Sequence, residues 1–203
     1  ARNIGWKEAQ AEWILFTDSD CIPSESLISG YIEASNGSLG YAGNVLPVHQ
    51  DPISKYYQSQ GTLIPSRHLI DGKEYPDYLV TANCLIWKKA LEMVGGFNEL
   101  MTLSAGEDID IGFRLREKGK LSFAWNSLVY HNFDDGLMGF IKRFWRYGRG
   151  NGILSKIHSL DMKPRVIHPQ KPSRINYILS KIQHLSLLGG YLSEIRFRKR
   201  VTW

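Results

Sequence analysis

Cysteine is scarce in this sequence of 203 residues, which contains only Cys21 and Cys84. Two cysteines cannot build a framework of several disulfides, so the chain is not a small disulfide-stabilised secreted protein. Free thiols suit a reducing compartment, and we therefore expect a cytoplasmic protein. Hydrophobic residues make up 43% and charged residues 22% of the chain, a composition that predicts a folded globular protein.

Acidic residues are scarce in the last quarter of the chain. Residues 156–203 contain 10 Lys and Arg but only Asp161 and Glu194, a net charge of +8, whereas residues 1–155 carry −3. This division argues against a nucleic-acid binder, whose positive charge should lie on its folded recognition surface. It favours a tail that meets an anionic membrane surface, which would hold the protein peripherally at the inner face of the membrane.

A long uninterrupted apolar run is also missing. The most apolar stretch, residues 175–192, contains Lys181, Gln183 and His184, and it falls short of the roughly 20 apolar residues of a transmembrane helix. We expect an interfacial helix here, and the alternative is a helix packed on the domain or on a second subunit. The cationic residues that follow it are Arg196, Arg198, Lys199 and Arg200.

Strand and helix patterns alternate along the rest of the chain, which predicts an α/β sheet fold. The short apolar run at residues 13–17 is typical of a strand buried on both faces and hence parallel to its neighbours. Residues 49–78 are polar and irregular and are predicted as a long excursion or short helices. Further strands are expected at 39–48, 79–87 and 121–131, and helices at 4–12, 23–34, 88–94, 107–118 and 137–147, the last one ended by the glycines at 148, 150 and 152.

Two carboxylates, Asp18 and Asp20, follow directly after the first predicted strand. Ligands of open α/β sheets bind beyond the ends of strands, and a spacing of two in an extended segment points both side chains the same way. Their joint charge suits a hard divalent cation, which prefers oxygen ligands and substrate phosphates. The alternative is a solvated turn in which the aspartates act as caps.

Three acids in four residues, Glu107, Asp108 and Asp110, open the helix predicted at 107–118. Acids at a helix N-terminus complement the macrodipole without any function, but three exceed what capping needs. A carboxylate at this position is therefore a candidate general base for an acceptor hydroxyl.

His131 ends a later predicted strand, which makes it a candidate metal ligand, although a lone histidine is more often structural.

Arginine recurs every three residues on the helix predicted at 137–147, at Arg143, Arg146 and Arg149. One interpretation is a solvated basic face. The other is a clamp for a diphosphate, because the planar guanidinium donates paired hydrogen bonds to phosphate oxygens.

Seven segments, in this order, resemble family 2 glycosyltransferases over about residues 1–150. Each alone is weak, but their order and approximate spacing are specific. They are Ala-Arg-Asn (1–3), Trp-Ile-Leu-Phe-Thr-Asp-Ser-Asp (13–20), Thr-Ala-Asn (81–83), Val-Gly-Gly-Phe-Asn-Glu (94–99), Gly-Glu-Asp-Ile-Asp (106–110), Val-Tyr-His (129–131) and Arg-Phe-Trp-Arg-Tyr (143–147).

The resemblance implies a role for each matching residue. Asp18 would face the nucleotide ribose, Asp20 would hold a divalent metal (Mg or Mn) on the diphosphate, and His131 would complete the metal site. Asp108 would be the catalytic base, with Glu107 beside it. The residues left for substrate binding are Arg2, Asn83, Arg143 and Arg146, the last two in an element similar to the family's QxxRW but with Arg for Gln and Tyr for Trp.

The resemblance implies an inverting transferase of the GT-A fold, with a mixed, mostly parallel sheet flanked by helices. We expect a catalytic domain at residues 1–152 and a basic, partly helical tail at 153–203. The expected reaction moves a sugar from a nucleoside-diphosphate donor to a hydroxyl acceptor, a glycan or a lipid-linked molecule, with inversion. No initiator methionine or apolar leader precedes Ala1, and the resemblance implies that about the first third of the domain lies upstream.

Two other functions stay open from the sequence. A haloacid-dehalogenase-like phosphatase also begins with an apolar strand and two aspartates spaced as Asp18 and Asp20 are, and Asp134 and Asp135 would supply its late acidic pair. It leaves the Glu107 cluster and the arginine-rich helix unexplained. An inactive fragment that serves as a binding or membrane-associated module is the other, and the intact acidic set speaks against it.

Overall fold

The computed structural model describes residues 1–101, 103–133 and 136–197 of the chain. These residues form two compact units. The first unit comprises residues 1–48, 61–98 and 108–132, and the second comprises residues 49–60, 99–107 and the described chain from Phe133 onward.

Some residues singled out from the sequence lie outside the described part of the chain. Asp134 and Asp135 were named for the phosphatase alternative, and Arg198, Lys199 and Arg200 belong to the predicted cationic end. The division predicted between residues 152 and 153 stays a prediction, although this position lies inside a helix of the second unit.

Helices and strands are interspersed along the first unit, although they do not alternate strictly as predicted. The elements of the whole described chain, in order, are α1 (Arg2–Glu8), β1 (Trp13–Thr17), β2 (Cys21–Pro23), α2 (Leu27–Ala34), β3 (Gly40–Pro47), α3 (Pro52–Gln60), β4 (Arg67–Ile70), β5 (Lys73–Pro76), β6 (Asn83–Trp87), α4 (Lys88–Met93), α5 (Glu107–Lys118), β7 (Leu121–His131), α6 (Gly136–His158) and α7 (Arg174–Phe197).

The first unit is built on a five-stranded mixed sheet in the order β1-β6-β3-β7-β2. The α/β class with a mixed sheet flanked by helices is therefore confirmed. The expectation of a mostly parallel sheet is wrong, because among the described residues β3 and β7 form its one parallel pair while β1–β6, β3–β6 and β2–β7 are antiparallel. Strand direction depends on how the chain returns to the sheet, which the apolar pattern of a single strand does not report.

Strand β1 has the predicted bounds but not the predicted environment. It lies at the edge of the sheet and pairs antiparallel with β6 only, among the described residues. Ile14 is buried, whereas 37% of Trp13 is exposed. The prediction of a parallel strand buried on both faces was therefore wrong. The error arose because an aromatic and branched run of five residues fits an edge strand with one covered face as well as it fits a central strand.

Helices pack on this sheet through apolar side chains and glycines. The core contains Ile14 of β1, Ile86 of β6, Leu91 of α4 and Ile111 of α5. Gly112 lets α5 approach the chain before β6, because a Cβ at this position would lie 2.6 Å from the Cα of Tyr78. The close contact fixes the position of α5 and therefore of the acidic residues at its start.

The irregular stretch predicted at residues 49–78 contains one helix, α3, and the two-stranded sheet β4–β5. Asp71 and Gly72 connect these two strands, and both have positive φ angles, 51° and 74°. Asp-Gly between two short strands is a strong hairpin signal that the sequence interpretation overlooked.

The second unit is mainly helical, and aromatic side chains fill part of its interior. The rings of Tyr57 and Phe133 stack with centroids 4.3 Å apart, and Phe140 lies 4.7 Å from Phe144. Helix α6 does not end at its glycines as predicted but runs on to His158. Gly148 and Gly152 face α7, where a Cβ on Gly148 would lie 2.0 Å from the carbonyl oxygen of Leu187. These glycines are close-packing positions inside the helix.

None of the helices in the described part of the chain has both the length and the apolar character needed to cross a membrane.

Candidate functional site

The two predicted aspartates lie in a tight turn between β1 and β2. The backbone N–H of Cys21 donates to the carbonyl oxygen of Asp18 at 3.1 Å, which closes the turn. The N–H of Asn132 donates to the carbonyl oxygen of Asp20 at 2.9 Å and ties the turn to the end of β7. The two backbone bonds hold Asp18 and Asp20 at the end of the sheet where β1 and β7 finish and β2 begins.

The register of β2 and β7 brings His131 to the predicted metal-binding aspartate. Cys21 pairs with His131 across the two strands, and the Nε2 of His131 lies 3.5 Å from the Oδ2 of Asp20. The Asp20 side chain is 48% exposed, while that of His131 is 2% exposed. A buried imidazole and an accessible carboxylate thus meet at the surface of the first unit.

These residues have a spacing that fits a divalent cation. The ligand atoms of Asp20, Cys21 and His131 all lie within 4.8 Å of one another. Two ligands bound about 2.1 Å from one ion are about 3 to 3.5 Å apart, which matches the distance between Asp20 and His131.

Cys21 is a member of this group that the sequence interpretation did not assign to the site. Its thiol points toward the carbonyl oxygen of Ala82 at 3.7 Å. Burial raises the pKa of the Cys21 thiol to about 11, and the nearby charges of Asp18 and Asp20 act in the same direction. Without a bound cation, the Cys21 side chain is therefore a neutral thiol at neutral pH.

Arg2 lies beside the first aspartate of the turn. Its Nη2 is 3.5 Å from the Oδ1 of Asp18, and both side chains are partly exposed. The guanidinium lies over the ring of Phe97, 5.8 Å from its centroid. Asn3 fixes the helix that carries Arg2, because its side-chain amide donates to the carbonyl of Phe97 at 2.8 Å and accepts from the N–H of Phe97 at 2.9 Å.

The charges of Asp108, Asp18 and Arg2 act on one buried thiol, that of Cys84. Burial raises the pKa of the Cys84 thiol most, the charges of Asp108 and Asp18 raise it further, and the charge of Arg2 lowers it. Burial, followed by the charge of Asp108, also raises the pKa of Tyr78 to about 12. Cys84, the second residue of β6, is therefore within reach of all three charges.

The acidic cluster at the start of α5 divides into different environments. Asp110 is fully buried, and its Oδ2 accepts from Arg114 at 2.6 Å and 3.0 Å. Arg114 also donates to the carbonyl oxygens of Val94 and Gly96, so this pair fastens α5 to the chain after α4. Glu107 is buried, whereas Asp108 is partly exposed and accepts the N–H of Ile109 at 2.9 Å. Of the three acids, Asp108 is the most accessible.

Asn83, expected from the resemblance to bind substrate, lies in the interior of the sheet. Only 1% of it is exposed. Its amide nitrogen donates to the carbonyl oxygens of Asn44 at 2.9 Å and Ser127 at 3.0 Å, and its Oδ1 accepts from the hydroxyl of Tyr31 at 2.6 Å. Gly43 leaves room for this group, since a Cβ there would lie 2.2 Å from the amide nitrogen of Asn83. These contacts give Asn83 a structural role, and we do not include it in the candidate site.

The arginines of α6 belong to the second unit and differ from one another. The Arg143 guanidinium lies over the rings of Tyr57 and Phe133, 5.7 Å and 5.3 Å from their centroids. Arg146 is exposed, and Arg149 bonds to Glu194 of α7 at 3.1 Å. Arg149 therefore stabilises the helix pair, which leaves Arg143 and Arg146 as the predicted substrate-binding arginines.

Comparison with known proteins finds similarity to glycosyltransferases. The chain is 27% identical over 179 residues to the pre-mycofactocin glycosyltransferase of two strains of Mycobacterium tuberculosis. The match covers 82% of this chain and 37% of those relatives, so the chain spans little more than a third of their length. No protein-family model matches the chain. Among solved structures, it is similar to the mannosyltransferase PcManGT from Pyrobaculum calidifontis in complex with GDP-Man and Mn2+, at 10% identity and a TM-score of 0.49, over 100% of this chain and 55% of that one.

Proposed function

We propose that this chain carries the catalytic site of a nucleotide-sugar glycosyltransferase that works with a divalent cation and inverts the anomeric carbon. The observation that carries the proposal is the 3.5 Å approach of Asp20 to His131, beside the ion pair of Asp18 with Arg2. The similarity to pre-mycofactocin glycosyltransferase over most of this chain supports the same reaction class.

Asp20 and His131 would hold the cation, with the thiol of Cys21 close enough to join them. A carboxylate and an imidazole suit Mn2+, whereas Mg2+ prefers oxygen ligands alone. When bound, the cation would stabilise the negative charge that grows on the departing diphosphate. The turn between β1 and β2 keeps the ligands in place, because backbone bonds to Cys21 and Asn132 fix both ends of it.

Asp18 and Arg2 would bind the nucleotide part of the donor. The partly exposed carboxylate of Asp18 can accept hydrogen bonds from ribose hydroxyls, and Arg2 supplies positive charge for the phosphates or donors for the base. The two side chains already lie near each other in this structure, so donor binding would use a prearranged pair.

Asp108 would remove the proton from the acceptor hydroxyl. As the acceptor oxygen bonds to the anomeric carbon, the bond from that carbon to the diphosphate oxygen breaks and the proton passes to Asp108. A single displacement of this kind inverts the anomeric carbon. Asp108 suits the role better than Asp110, whose carboxylate is buried and held by Arg114. The acceptor we propose is a hydroxyl of a glycan or a lipid-linked molecule.

The phosphatase alternative has less support. It needs a free nucleophilic Asp18, but this residue lies 3.5 Å from the guanidinium of Arg2. The phosphatase alternative also gives no joint role to His131 and Asp20, which lie 3.5 Å apart. An inactive binding module would not require an accessible Asp108 whose charge acts on Cys84 together with those of Asp18 and Arg2. The transferase explains all of these positions.

Calorimetric titration tests the proposal. The chain is titrated with a panel of nucleoside diphosphates in the presence of Mn2+, Mg2+ or a chelator, and we expect binding that needs the cation. Asp20→Ala should abolish the cation-dependent part, because it removes the accessible carboxylate from the group.

Asp71→Ala is the matched control, since Asp71 is an exposed aspartate in the turn of the β4–β5 hairpin. It should leave the titration unchanged. Nucleoside diphosphate binding that is the same with chelator, or the same in Asp20→Ala, would contradict the proposed cation site. Turnover of a phosphomonoester with no binding of nucleoside diphosphates would favour the phosphatase.

A further inference from the structure

Helix α7 of the second unit exposes apolar residues and buries polar ones. Ile175, Ile178 and Leu185 are 53%, 58% and 65% exposed. Ser180, Gln183, Ser186 and Glu194 are 2% to 9% exposed on the same helix. A helix on the surface of a water-soluble protein normally has the reverse arrangement, with its apolar stripe turned inward.

Gln183 and Glu194, two of the buried polar residues of α7, are bonded within the second unit. The Tyr56 hydroxyl donates to the Oε1 of Gln183 at 2.5 Å, and Arg149 donates to the carboxylate of Glu194 at 3.1 Å. Between them, Gly190 lets the helices approach until a Cβ at that position would lie 2.0 Å from the carbonyl oxygen of Trp145. The polar face of α7 is thus the side that packs on its neighbours, and the orientation of the helix is fixed by specific bonds.

The exposed face of α7 combines the apolar residues with cations. Arg174, Ile178, Lys181 and Leu185 follow one another at intervals of four, three and four residues, which places them on one side of a helix. Ile175 lies three residues before Ile178 on an adjoining position. Arg174 and Lys181 are exposed, like the apolar residues between them. We call these five residues the α7 outer face.

The chain from residue 136 to residue 197 as a whole has the same character. Over residues 136–197 the sequence has 11 Lys and Arg but only Asp161 and Glu194 as acids, and Glu194 is buried. Other large apolar side chains of the unit are also exposed: Leu137, Met138, Trp145, Ile157, Leu160 and Val166, between 43% and 68%.

We propose that the α7 outer face lies on an anionic lipid surface. The three apolar side chains would enter the boundary between headgroups and acyl chains, while Arg174 and Lys181 extend to lipid phosphates. An apolar protein partner would explain the isoleucines and the leucine but not the cations among them. An acidic partner would explain the cations but not the apolar side chains. A lipid surface explains both, and the proposal does not depend on the sugar donor.

Co-sedimentation of the 203-residue chain with vesicles tests this directly. The chain should bind vesicles of phosphatidylcholine with about a third phosphatidylglycerol, and bind pure phosphatidylcholine far more weakly. Ile175→Gln/Ile178→Gln/Leu185→Gln should weaken binding at least about tenfold by removing the apolar insertion. Arg174→Gln/Lys181→Gln should weaken it about fivefold for each lost cation at low salt, and less at high salt.

Matched controls separate this face from general effects. Ile28→Gln/Ile32→Gln changes two exposed isoleucines of α2, which are 57% and 71% exposed in the first unit. Lys73→Gln/Lys89→Gln removes two exposed lysines there. Both controls should bind vesicles as the unchanged chain does, and all variants should keep its thermal midpoint.

Three results would overturn the proposal. The first is equal binding to neutral and anionic vesicles, or none to either. The second is unchanged binding after the triple substitution in α7. The third is a dimer in light scattering that the triple substitution dissociates while vesicle binding is absent, since the α7 outer face would then be covered by a second copy of the chain.

Discussion

The two units of this chain use charge in opposite ways. The stretches that form the first unit contain 10 Lys and Arg against 13 Asp and Glu, a net charge of −3. Those that form the second contain 15 against 7, a net charge of +8. In the first unit, carboxylates stand at strand ends and at the start of α5, where a few bonds fix each one. In the second, most of the cations are spread along α6, α7 and the segment between them.

The packing of the two units differs as well. The first buries an apolar core between sheet and helices, with Ile86 and Ile111 fully buried. The second joins α6 and α7 through glycines and the Arg149–Glu194 pair, and it exposes apolar side chains. A rigid apolar core suits a site that must hold atoms in place, and an outward apolar and cationic surface suits attachment.

The largest effect is expected at Asp108. Asp108→Asn should lower turnover of a nucleotide sugar by about 10²–10⁴, because the amide cannot take the acceptor proton. Cation-dependent nucleoside diphosphate binding should remain close to that of the unchanged chain, since Asp108 is not among the proposed metal ligands. The measurements are steady-state transfer in a form of the protein that is active, and calorimetric titration.

Glu117→Gln serves as its control, because Glu117 is an exposed acid on the same helix. It should leave both transfer and binding unchanged. Near-normal turnover of Asp108→Asn would show that another group takes the proton. The unchanged chain, Asp108→Asn and Glu117→Gln should all bind vesicles equally, because neither substitution changes the second unit.

Asn83 should matter for the stability of the first unit and not for substrate. Asn83→Ala removes the partner of the Tyr31 hydroxyl and of two backbone carbonyls in a buried place. At about 1 kcal/mol for each bond, the free energy of unfolding should fall by about 3 kcal/mol, measured by urea denaturation. Tyr31→Phe should cost about 1 kcal/mol with unchanged donor binding. Donor binding lost without a loss of stability would restore Asn83 to the substrate site.

A glycine in each unit gives opposite expectations for the same substitution. A Cβ on Gly190 would lie 2.0 Å from the carbonyl oxygen of Trp145, whereas a Cβ on Gly5 of α1 would meet nothing within 4 Å. Gly190→Ala should therefore lower the free energy of unfolding by about 2 kcal/mol or more. Gly5→Ala should raise it by about 0.5–1 kcal/mol, because alanine favours the helix. Equal effects in urea denaturation would show that α6 and α7 are not closely packed.

The elements best predicted from the sequence are those whose patterns are long and have clear ends. Helix α5 and strand β7 have the bounds expected from apolar spacing and from Gly119 between them. Local patterns failed where a tertiary contact decides the outcome. The glycines of α6 would end an isolated helix, but here they provide space for α7. Strand β2, with three residues, is too short to show any periodicity.

Most members of the candidate site were named from the sequence, but Cys21 was not. Asp20 and His131 followed from their places at strand ends and from the family resemblance, and the structure brings them together. Cys21 joins them only because β2 pairs with β7 in a register that no local pattern reports. The family resemblance assigned the base to Asp108, and the structure adds a physical reason against Asp110, whose carboxylate is buried and bonded to Arg114.

The smallest effects are expected at an ion pair in each unit, where burial makes the difference. Arg67 and Glu74 meet at 3.0 Å across the β4–β5 hairpin, and both side chains are largely exposed, at 57% and 40%. Arg149 and Glu194 meet at 3.1 Å, but the Glu194 side chain is only 7% exposed between α6 and α7. Because water screens and solvates the first pair, Arg67→Gln should change the free energy of unfolding by less than about 0.5 kcal/mol.

Arg149→Gln should cost about 1–2 kcal/mol, because the carboxylate of Glu194 loses a charged donor where little water can replace it. The same loss should be smaller in the double variant Arg149→Gln/Glu194→Gln, which removes the buried charge together with its partner. The cycle is completed by urea denaturation of the unchanged chain, Arg149→Gln, Glu194→Gln and the double variant. Raising the salt concentration should weaken the effect of Arg67→Gln more than the effect of Arg149→Gln. Equal costs at Arg149 and Arg67 would mean that water reaches Glu194 as freely as it reaches Glu74, and the close packing of α6 on α7 would then not hold in solution.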